Sequence, residues 1–207
     1  MTNLTAWFWD RLAIKYSKGT IANQAAYQKK LEITQSFLKP DMNVLEIGCG
    51  TGSTAIIHAP FVKHIRATDV SSNMLKIASE KVQSDNIDNI TFEHCGISNL
   101  QVPDQSMDVV LALNILHLLG NRSEVIAKIE KMLKPGGVFI SSTVCMGEGM
   151  GFAKIIAPIG RVFGLVLKIF STRQLRDEML SAGFTIEHDW QPEGGKSVFI
   201  VARKTEG

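Results

Sequence analysis

Apolar and polar positions alternate along the chain in a way that predicts a regular exchange between buried strands and amphipathic helices. Short apolar runs typical of strands occupy seven stretches: Met42–Ile47, His64–Thr68, Ile90–His94, Met107–Leu113, Val138–Thr143, Thr185–Trp190 and Ser197–Arg203. Helical periodicity marks five others: residues 1–40, Ser53–Pro60, Ser71–Gln83, Ser123–Met132 and 172–182. This order predicts an α/β fold with a doubly wound, mostly parallel seven-stranded sheet that helices cover on both faces.

Two glycine-rich turns refine this prediction. Lys134–Gly137 (KPGG) predicts an abrupt turn into the fifth strand. The last two strand segments flank the turn sequence PEGGK, so we expect them to pair as an antiparallel hairpin at the C-terminal edge of the sheet. The whole chain, 1–207, is expected to form a single domain.

Two segments stand outside the strand–helix alternation. Residues 1–39 are interpreted as an N-terminal helical lid, in which Trp7–Trp9 would pack. Residues 145–171 form an apolar insertion whose basic residues recur every seven positions, with a proline between the first two: Lys154, Pro158, Arg161 and Lys168. We expect a helical cap over an apolar substrate pocket. Packing on the core or on a partner in a homodimer, and peripheral contact with a membrane surface, remain open. The charges and the proline argue against a transmembrane span.

Bulk composition narrows the class of protein. With 207 residues, 45% hydrophobic and 20% charged, the chain is typical of a folded domain, and its net charge of +2 argues against a dedicated nucleic-acid binder. Three separated cysteines, Cys49, Cys95 and Cys145, form no CxxC pair or Cys/His cluster, so we predict no metal site and no disulfide framework. The N-terminus lacks the order of a signal peptide, and we expect a cytoplasmic location.

The stretch VLEIGCGTG contains the first candidate chemistry. Gly48, Gly50 and Gly52 follow an apolar run that contains an acid, Glu46. Such a strand–helix turn exposes backbone N–H groups and lets a ligand approach closely. The lysine of a nucleoside-triphosphate loop is absent, and GCGTG departs from the dinucleotide pattern GxGxxG. Glu46 would repel a pyrophosphate but suits a ligand with an ammonium group.

Asp69 is the second candidate, because it ends the predicted second strand. In a doubly wound sheet it would lie beside the glycine turn, where a carboxylate can accept hydrogen bonds from both ribose hydroxyls of a nucleoside. The ligand so described has a ribose, a cationic end and no phosphate. S-adenosylmethionine meets all three conditions.

Three motifs resemble those of class I S-adenosylmethionine-dependent methyltransferases: VLEIGCGTG, Asp69 within ATDVSSNML, and LKPGG at 133–137. The resemblance covers residues 40–144 and the C-terminal helix and strands, and is greatest to the small-molecule branch that includes quinone-biosynthesis enzymes. It implies a Rossmann-like methyltransferase fold and methyl transfer to a small, apolar or aromatic acceptor. The product of the cofactor would be S-adenosylhomocysteine.

The same resemblance assigns roles to eleven residues of a cofactor site: Glu46, Gly48, Cys49, Gly50, Gly52, Asp69, Val70, Met74, Gly96, Ile97 and Asn114. Glu46 would contact the ammonium group, the glycine loop would form the floor of the site, and Asp69 would bind the ribose. Val70 and Met74 would contact the adenine, and Asn114 would lie near the methionine end. Gly96 stands where relatives often have an acid for the adenine amino group, so the backbone of Ile97 is left to recognise an adenine nitrogen.

Candidates for the catalytic residues are His117, which follows the fourth strand, and Tyr16 of the lid. A base is required only when the nucleophile carries a proton. His58, His64, His94 and His188 show no metal-ligand spacing and are given no role. Two other functions stay open: a catalytically silent cofactor-binding regulatory or interaction protein, and a nicotinamide-dependent oxidoreductase. The glycine spacing and Glu46 argue against the oxidoreductase.

Overall fold

Seven strands form one sheet within the part of the chain that the computed structural model describes, residues 3–145, 170–195 and 197–206. They are β1 (Asn43–Ile47), β2 (His64–Asp69), β3 (Ile90–His94), β4 (Met107–Leu113), β5 (Leu133–Val144), β6 (Phe184–Trp190) and β7 (Ser197–Lys204). Their spatial order is β3-β2-β1-β4-β5-β7-β6. The predicted insertion, 145–171, lies outside the described residues except at its two ends.

The pairing of the strands confirms the predicted fold class. Strands β1 to β5 run parallel, and the order of the chain reverses between β1 and β4, where open α/β sheets bind ligands. Strand β7 is antiparallel to both β5 and β6, so the predicted C-terminal hairpin is present and β6 forms the edge.

Six α-helices are found among the described residues: α1 (Asn3–Ser17), α2 (Gln24–Ser36), α3 (Ser53–His58), α4 (Ser72–Ser84), α5 (Arg122–Met132) and α6 (Thr172–Ser181). Side-chain caps begin three of them, at Asn23, Ser71 and Ser171. The helix predicted over Ser53–Pro60 ends two residues early. Pro60 has no N–H to continue the α-helical bonds, and Ala59–Phe61 forms a 3₁₀ turn instead.

The KPGG segment corrects a second prediction. It is not a turn outside the sheet, because β5 already begins at Leu133. Met107 of β4 pairs with Leu133, whereas Val109 pairs with Val138, so β5 accommodates extra residues opposite β4. The resulting bulge includes a left-handed residue, Gly136 (φ 72°).

Two apolar clusters cover the two faces of the sheet. Along β4, Val110 and Ala112 join one cluster with α5 and α6, while Val109 and Leu111 join the other. This alternation follows from the period of two in a strand that is buried on both sides. Because β1 alternates in the same way, Glu46 shares the face of Val44, on the side of the sheet that carries the second cluster.

Candidate functional site

The glycine loop after β1 is held from both sides by hydrogen bonds. The carbonyl oxygen of Thr68 on β2 accepts from the N–H groups of Gly48 (2.8 Å) and Cys49 (3.0 Å). On the outer side, Lys81 Nζ donates to the carbonyl oxygen of Thr51 (3.0 Å) and to the hydroxyl of Ser53 (3.1 Å). The loop is therefore a fixed element of the site.

The three glycines of this loop all have positive φ, but their surroundings differ. A Cβ on Gly50 would have only a Tyr16 ring atom nearby, at 3.8 Å, so this position is open. A Cβ on Gly52 would lie 2.9 Å from the Cβ of Ala78, and one on Gly48 would lie 2.9 Å from the side chain of Ile115. Gly50 leaves room for a ligand, whereas Gly52 allows the loop to pack on α4.

A cavity of about 640 Å³ opens at the carboxyl edge of β1, β2 and β4. Eight of the eleven predicted cofactor residues line it: Gly48, Gly50, Asp69, Val70, Met74, Gly96, Ile97 and Asn114. Cys49 and Gly52 are not among the lining residues, and neither is Glu46, which is buried. The cavity has the mixed apolar and polar lining that is typical of small-molecule sites.

Glu46 is the most unusual side chain of the site. It is 2% exposed, and its Oε2 has no hydrogen-bond partner among the described residues. Burial, followed by the negative charge of Asp69, raises the pKa of Glu46 to about 8. A buried carboxylate without a partner is costly, so this position suits a cationic ligand group.

Asp69 is positioned by the loop that it supports. Its Oδ2 accepts from the N–H of Gly50 (2.8 Å) and its Oδ1 from the N–H of Ser71 (2.9 Å). Burial raises the pKa of Asp69, and these backbone hydrogen bonds act in the opposite direction. Each carboxylate oxygen has a further lone pair, so Asp69 can accept from two ribose hydroxyls while it holds the loop.

The residues predicted to contact the adenine and the methionine end of the cofactor lie on either side of Glu46 and Asp69. Asn114 has φ 59°, and its N–H donates to the carbonyl oxygen of Ser142 (2.7 Å), which fixes the turn after β4. A Cβ on Gly96 would approach a methyl group of Val70 to 3.0 Å. Gly96 therefore lets the chain after β3 lie close to Val70, with the buried Ile97 next to it.

The two predicted catalytic residues are placed differently. Tyr16 lines the cavity although 54% of its surface is exposed, and partial burial, followed by the charges of Asp69 and Glu46, raises its pKa, so that it carries its proton at neutral pH. Its catalytic role stays a prediction. His117 is half-buried with a lowered pKa, caused by burial, and it is not among the residues that line either cavity described here. A catalytic role for His117 stays a prediction.

A second cavity, of about 390 Å³, adjoins the first at Leu113 and Asn114. The sequence interpretation missed its polar residues: Tyr27, Lys30 and Thr34 on α2, and Thr54 and His58 on α3. A pattern could have indicated them, because Tyr27, Lys30, Leu31 and Thr34 follow the i, i+3, i+4, i+7 spacing of one helix face. Among these four residues Lys30 is the exception, because it is a charged residue on the face of α2 that is directed toward the sheet. Trp9 of α1, predicted only as lid packing, lines the first cavity.

Comparison with known proteins decides the family. The model of a family described as a methyltransferase domain matches residues 38–178, more than half of the chain. The chain belongs to this methyltransferase family. The predicted resemblance to class I S-adenosylmethionine-dependent methyltransferases of the small-molecule branch is thereby confirmed, and S-adenosylmethionine is the cofactor.

Individual relatives match only part of this chain. The uncharacterised methyltransferase YcgJ of Bacillus subtilis is 26% identical over 110 residues, 53% of this chain and 44% of its own. The demethylmenaquinone methyltransferase of Listeria welshimeri is 34% identical over 98 residues, 46% of this chain and 42% of its own. The chain spans less than half the length of the curated relatives it matches.

Solved structures share the fold at lower identity. The Haemonchus contortus phosphoethanolamine N-methyltransferase 2, in complex with phosphomonomethylethanolamine and S-adenosylhomocysteine, superposes with a TM-score of 0.78 at 17% identity. That superposition covers 97% of this chain and 60% of the other. At this identity the likeness concerns the fold.

The residues of this chain fit the cofactor. The carboxylate of Glu46, which has no partner among the described residues, would be available to the ammonium, Gly50 leaves its side of the loop bare, and the remaining lone pairs of Asp69 would be available to the ribose. Val70 and Met74 supply apolar surface for an adenine ring.

The contrast between two loop glycines gives a first prediction. Gly50→Ala and Gly52→Ala both place a side chain at positive φ, which costs about 1–2 kcal/mol in each case. Because only the Gly52 side chain would collide with Ala78, Gly52→Ala is expected to lower Tm further than Gly50→Ala. Gly50→Ala should instead give the larger loss of S-adenosylhomocysteine affinity. Thermal denaturation and calorimetry of both variants test this, and the reverse order would contradict the assignment.

Proposed function

We propose that this protein transfers a methyl group from S-adenosylmethionine to a small-molecule acceptor. The observation that carries the proposal is the unpartnered, buried carboxylate of Glu46 beside Asp69 and the glycine loop. When bound, the cofactor supplies a methyl group on a positively charged sulfur. The acceptor atom bonds to the methyl carbon as the carbon–sulfur bond breaks, and the bonding electron pair stays on sulfur.

Methyl transfer of this kind depends on alignment and on the exclusion of water, and these tasks fall to the protein. Glu46 fixes the methionine end of the cofactor, and Asp69 fixes its ribose. Helix α1 packs on α4 and brings Trp9 and Tyr16 to the cavity. We therefore propose that residues 1–39 act as a lid, with α1 as its inner part.

The docking of α1 is specific. Oδ1 of Asp10 accepts hydrogen bonds from the hydroxyl of Ser71 (2.7 Å) and from the N–H of Asn73 (2.9 Å), at the start of α4. A carboxylate at a helix N-terminus is electrostatically favourable, and these hydrogen bonds lower the pKa of Asp10 against the opposite effect of burial. The lid is thus fastened next to Asp69, the proposed ribose ligand.

The experiment that tests the function uses S-adenosylmethionine labelled in the methyl group. Calorimetry first establishes binding of S-adenosylhomocysteine, and transfer of label is then measured over a panel of small acceptors. Binding with transfer supports the proposal. Binding without transfer to any acceptor would favour the alternative, a catalytically silent cofactor-binding regulatory or interaction protein. Absence of binding would contradict both.

Four expectations about the location and the partners of the protein remain proposals. These are a cytoplasmic location, a homodimer, contact of 145–171 with a membrane surface, and the absence of a nucleic-acid partner. In the described part of the chain, no helix combines the length and the apolar character needed to cross a membrane.

A further inference from the structure

The second cavity contains a lysine whose hydrogen-bond partners, among the residues that the structure describes, are all neutral. Lys30 Nζ donates to the hydroxyl of Ser142 (2.8 Å) and to that of Ser197 (3.2 Å). No carboxylate among the described residues forms an ion pair with it. Burial lowers the pKa of Lys30, which shows that its ammonium group is partly removed from water.

The same cavity contains a histidine that has no hydrogen-bond partner in the described part of the chain. His58 is 0% exposed, and neither of its ring nitrogens has a hydrogen-bond partner among the described residues. Burial lowers its pKa to about 4, so the ring is neutral at pH 7 and offers one N–H donor and one acceptor nitrogen. A fully buried polar group in this state indicates a ligand that completes its hydrogen bonds.

The position of Lys30 separates it from the cofactor. Ser142 lies on β5 and Ser197 on β7, the second and third strands from β1, which carries Glu46. At about 4.8 Å per strand, the Lys30 ammonium lies roughly 10 Å or more to the side of β1. The carboxylate and the ammonium of the cofactor are attached to one carbon atom, so a carboxylate next to Glu46 remains near β1. An anionic group that pairs with Lys30 would therefore belong to a different molecule.

The two cavities meet where methyl transfer has to occur. Leu113 and Asn114 line both of them, at the end of β4 and beside the predicted methionine end of the cofactor. Apolar walls of the second cavity come from Leu31, Leu113 and Phe199. A ligand there would have an apolar body, a polar group at His58 and a charged group at Lys30.

We propose that the second cavity is the acceptor site, and that the acceptor is a small acid whose anionic oxygens pair with Lys30 while a second polar group hydrogen-bonds His58. This inference rests on the proposed methyltransferase function. A carboxylate and a phosphate monoester share the required chemistry. The expected substrate class is accordingly more polar than the apolar or aromatic acceptor predicted from the sequence.

The test uses the full chain saturated with S-adenosylhomocysteine, so that the cofactor site is filled. Binding of small hydroxylated carboxylic acids, with para-hydroxybenzoate as the first probe, is compared by calorimetry with binding of their uncharged methyl esters. Phenyl phosphate tests the phosphate alternative. We expect at least one acid to bind about tenfold more tightly than its uncharged counterpart. Equal binding of acids and esters, or binding of neither, would contradict the inference.

Lys30→Met tests the residue assignment. The variant should lose the preference for the acid, about tenfold in affinity, and keep its affinity for S-adenosylhomocysteine. The matched control is Lys29→Met, the neighbouring exposed lysine of α2, whose ammonium lies over the Trp190 ring. Weaker cofactor binding in Lys30→Met, with unchanged acid binding, would assign Lys30 to the cofactor carboxylate and overturn the inference. If the unmodified protein does not bind S-adenosylhomocysteine, the proposed function fails instead.

His58→Phe provides an independent test in the same cavity. The substitution removes two unpartnered nitrogens and keeps a ring of similar shape, so the variant without ligands should have a higher Tm. Its affinity for the same acid should fall, because the hydrogen bond to the ring is lost. A variant that gains stability and keeps full affinity for the acid would contradict a role for His58 in acceptor binding.

Discussion

Glu46→Gln is expected to weaken binding of S-adenosylhomocysteine by about 30-fold or more, one of the two largest effects of any single change in the site. The substitution keeps the size of the side chain but removes the charge that the ammonium group would meet in a desolvated position. Truncating one partner of a buried charge pair typically costs 2–5 kcal/mol, and about 2 kcal/mol corresponds to that loss of affinity. Calorimetry measures it, with Glu80→Gln, an exposed acid on α4, as the control.

The same variant should be more stable than the unmodified protein when no cofactor is present. The pKa of Glu46 is raised from 4.5 to about 8 on folding, so ionisation opposes the folded state. The stability that this group contributes is complete below pH 4.5 and is lost as pH rises toward 8. Glu46→Gln should therefore raise Tm most at pH 8 and reduce the decline between pH 5 and pH 8. An identical pH profile for both proteins would contradict the burial of an unpartnered carboxyl group.

Asp69→Ala is expected to have the largest effect, a loss of about 100-fold or more in affinity for S-adenosylhomocysteine. Hydrogen bonds to a charged group contribute about 1.5–3 kcal/mol each, and the ribose hydroxyls would lose two of them. The N–H of Gly50 also loses its acceptor, which loosens the loop. An analogue of S-adenosylhomocysteine that lacks the ribose hydroxyls separates the two causes.

Against that analogue, Asp69→Ala should bind nearly as well as the unmodified protein if the ribose contact accounts for the loss. An equal loss of affinity for both ligands would assign the effect to the loop alone. Asp85→Ala, an acid at the C-terminal end of α4, serves as the control. The removal of Asp69 should also lower the pKa of Glu46, because the charge of Asp69 is one of the two causes that raise it.

Much of this fold was predictable because its signals are local. Each strand of the parallel part of the sheet is a short apolar run with glycines, prolines or helix caps at its ends. The order of these runs along the chain indicates the topology. The glycine loop and Asp69 were predictable for a related reason, since the ends of neighbouring parallel strands meet at one edge. The main differences from the predicted elements are the division of residues 1–40 into two helices, the early end of α3 and the early start of β5, whereas the other bounds shift by at most one residue.

The spacing on α2 marks the helix face that lines the second cavity, but the cavity itself could not be predicted, because its residues meet only after α2 packs on distant strands. Lys30 contacts Ser142 and Ser197, which lie 112 and 167 positions further along the chain. His58 showed no metal-ligand spacing, and only its complete burial without partners gives it significance. His117 is the opposite case. Its position after β4 suggested that it would line a pocket, but it lines neither of the two cavities described here.

The central claim is that a cofactor ammonium group binds at the buried carboxyl group of Glu46. Titration of the protein with S-adenosylhomocysteine at pH 7, in buffers of different ionisation enthalpy, tests it most directly. A carboxyl group with a pKa of about 8 is largely protonated at that pH and must ionise to pair with the ammonium. Binding should therefore release about one proton from the unmodified protein and none from Glu46→Gln. Binding without proton release from the unmodified protein would contradict the claim.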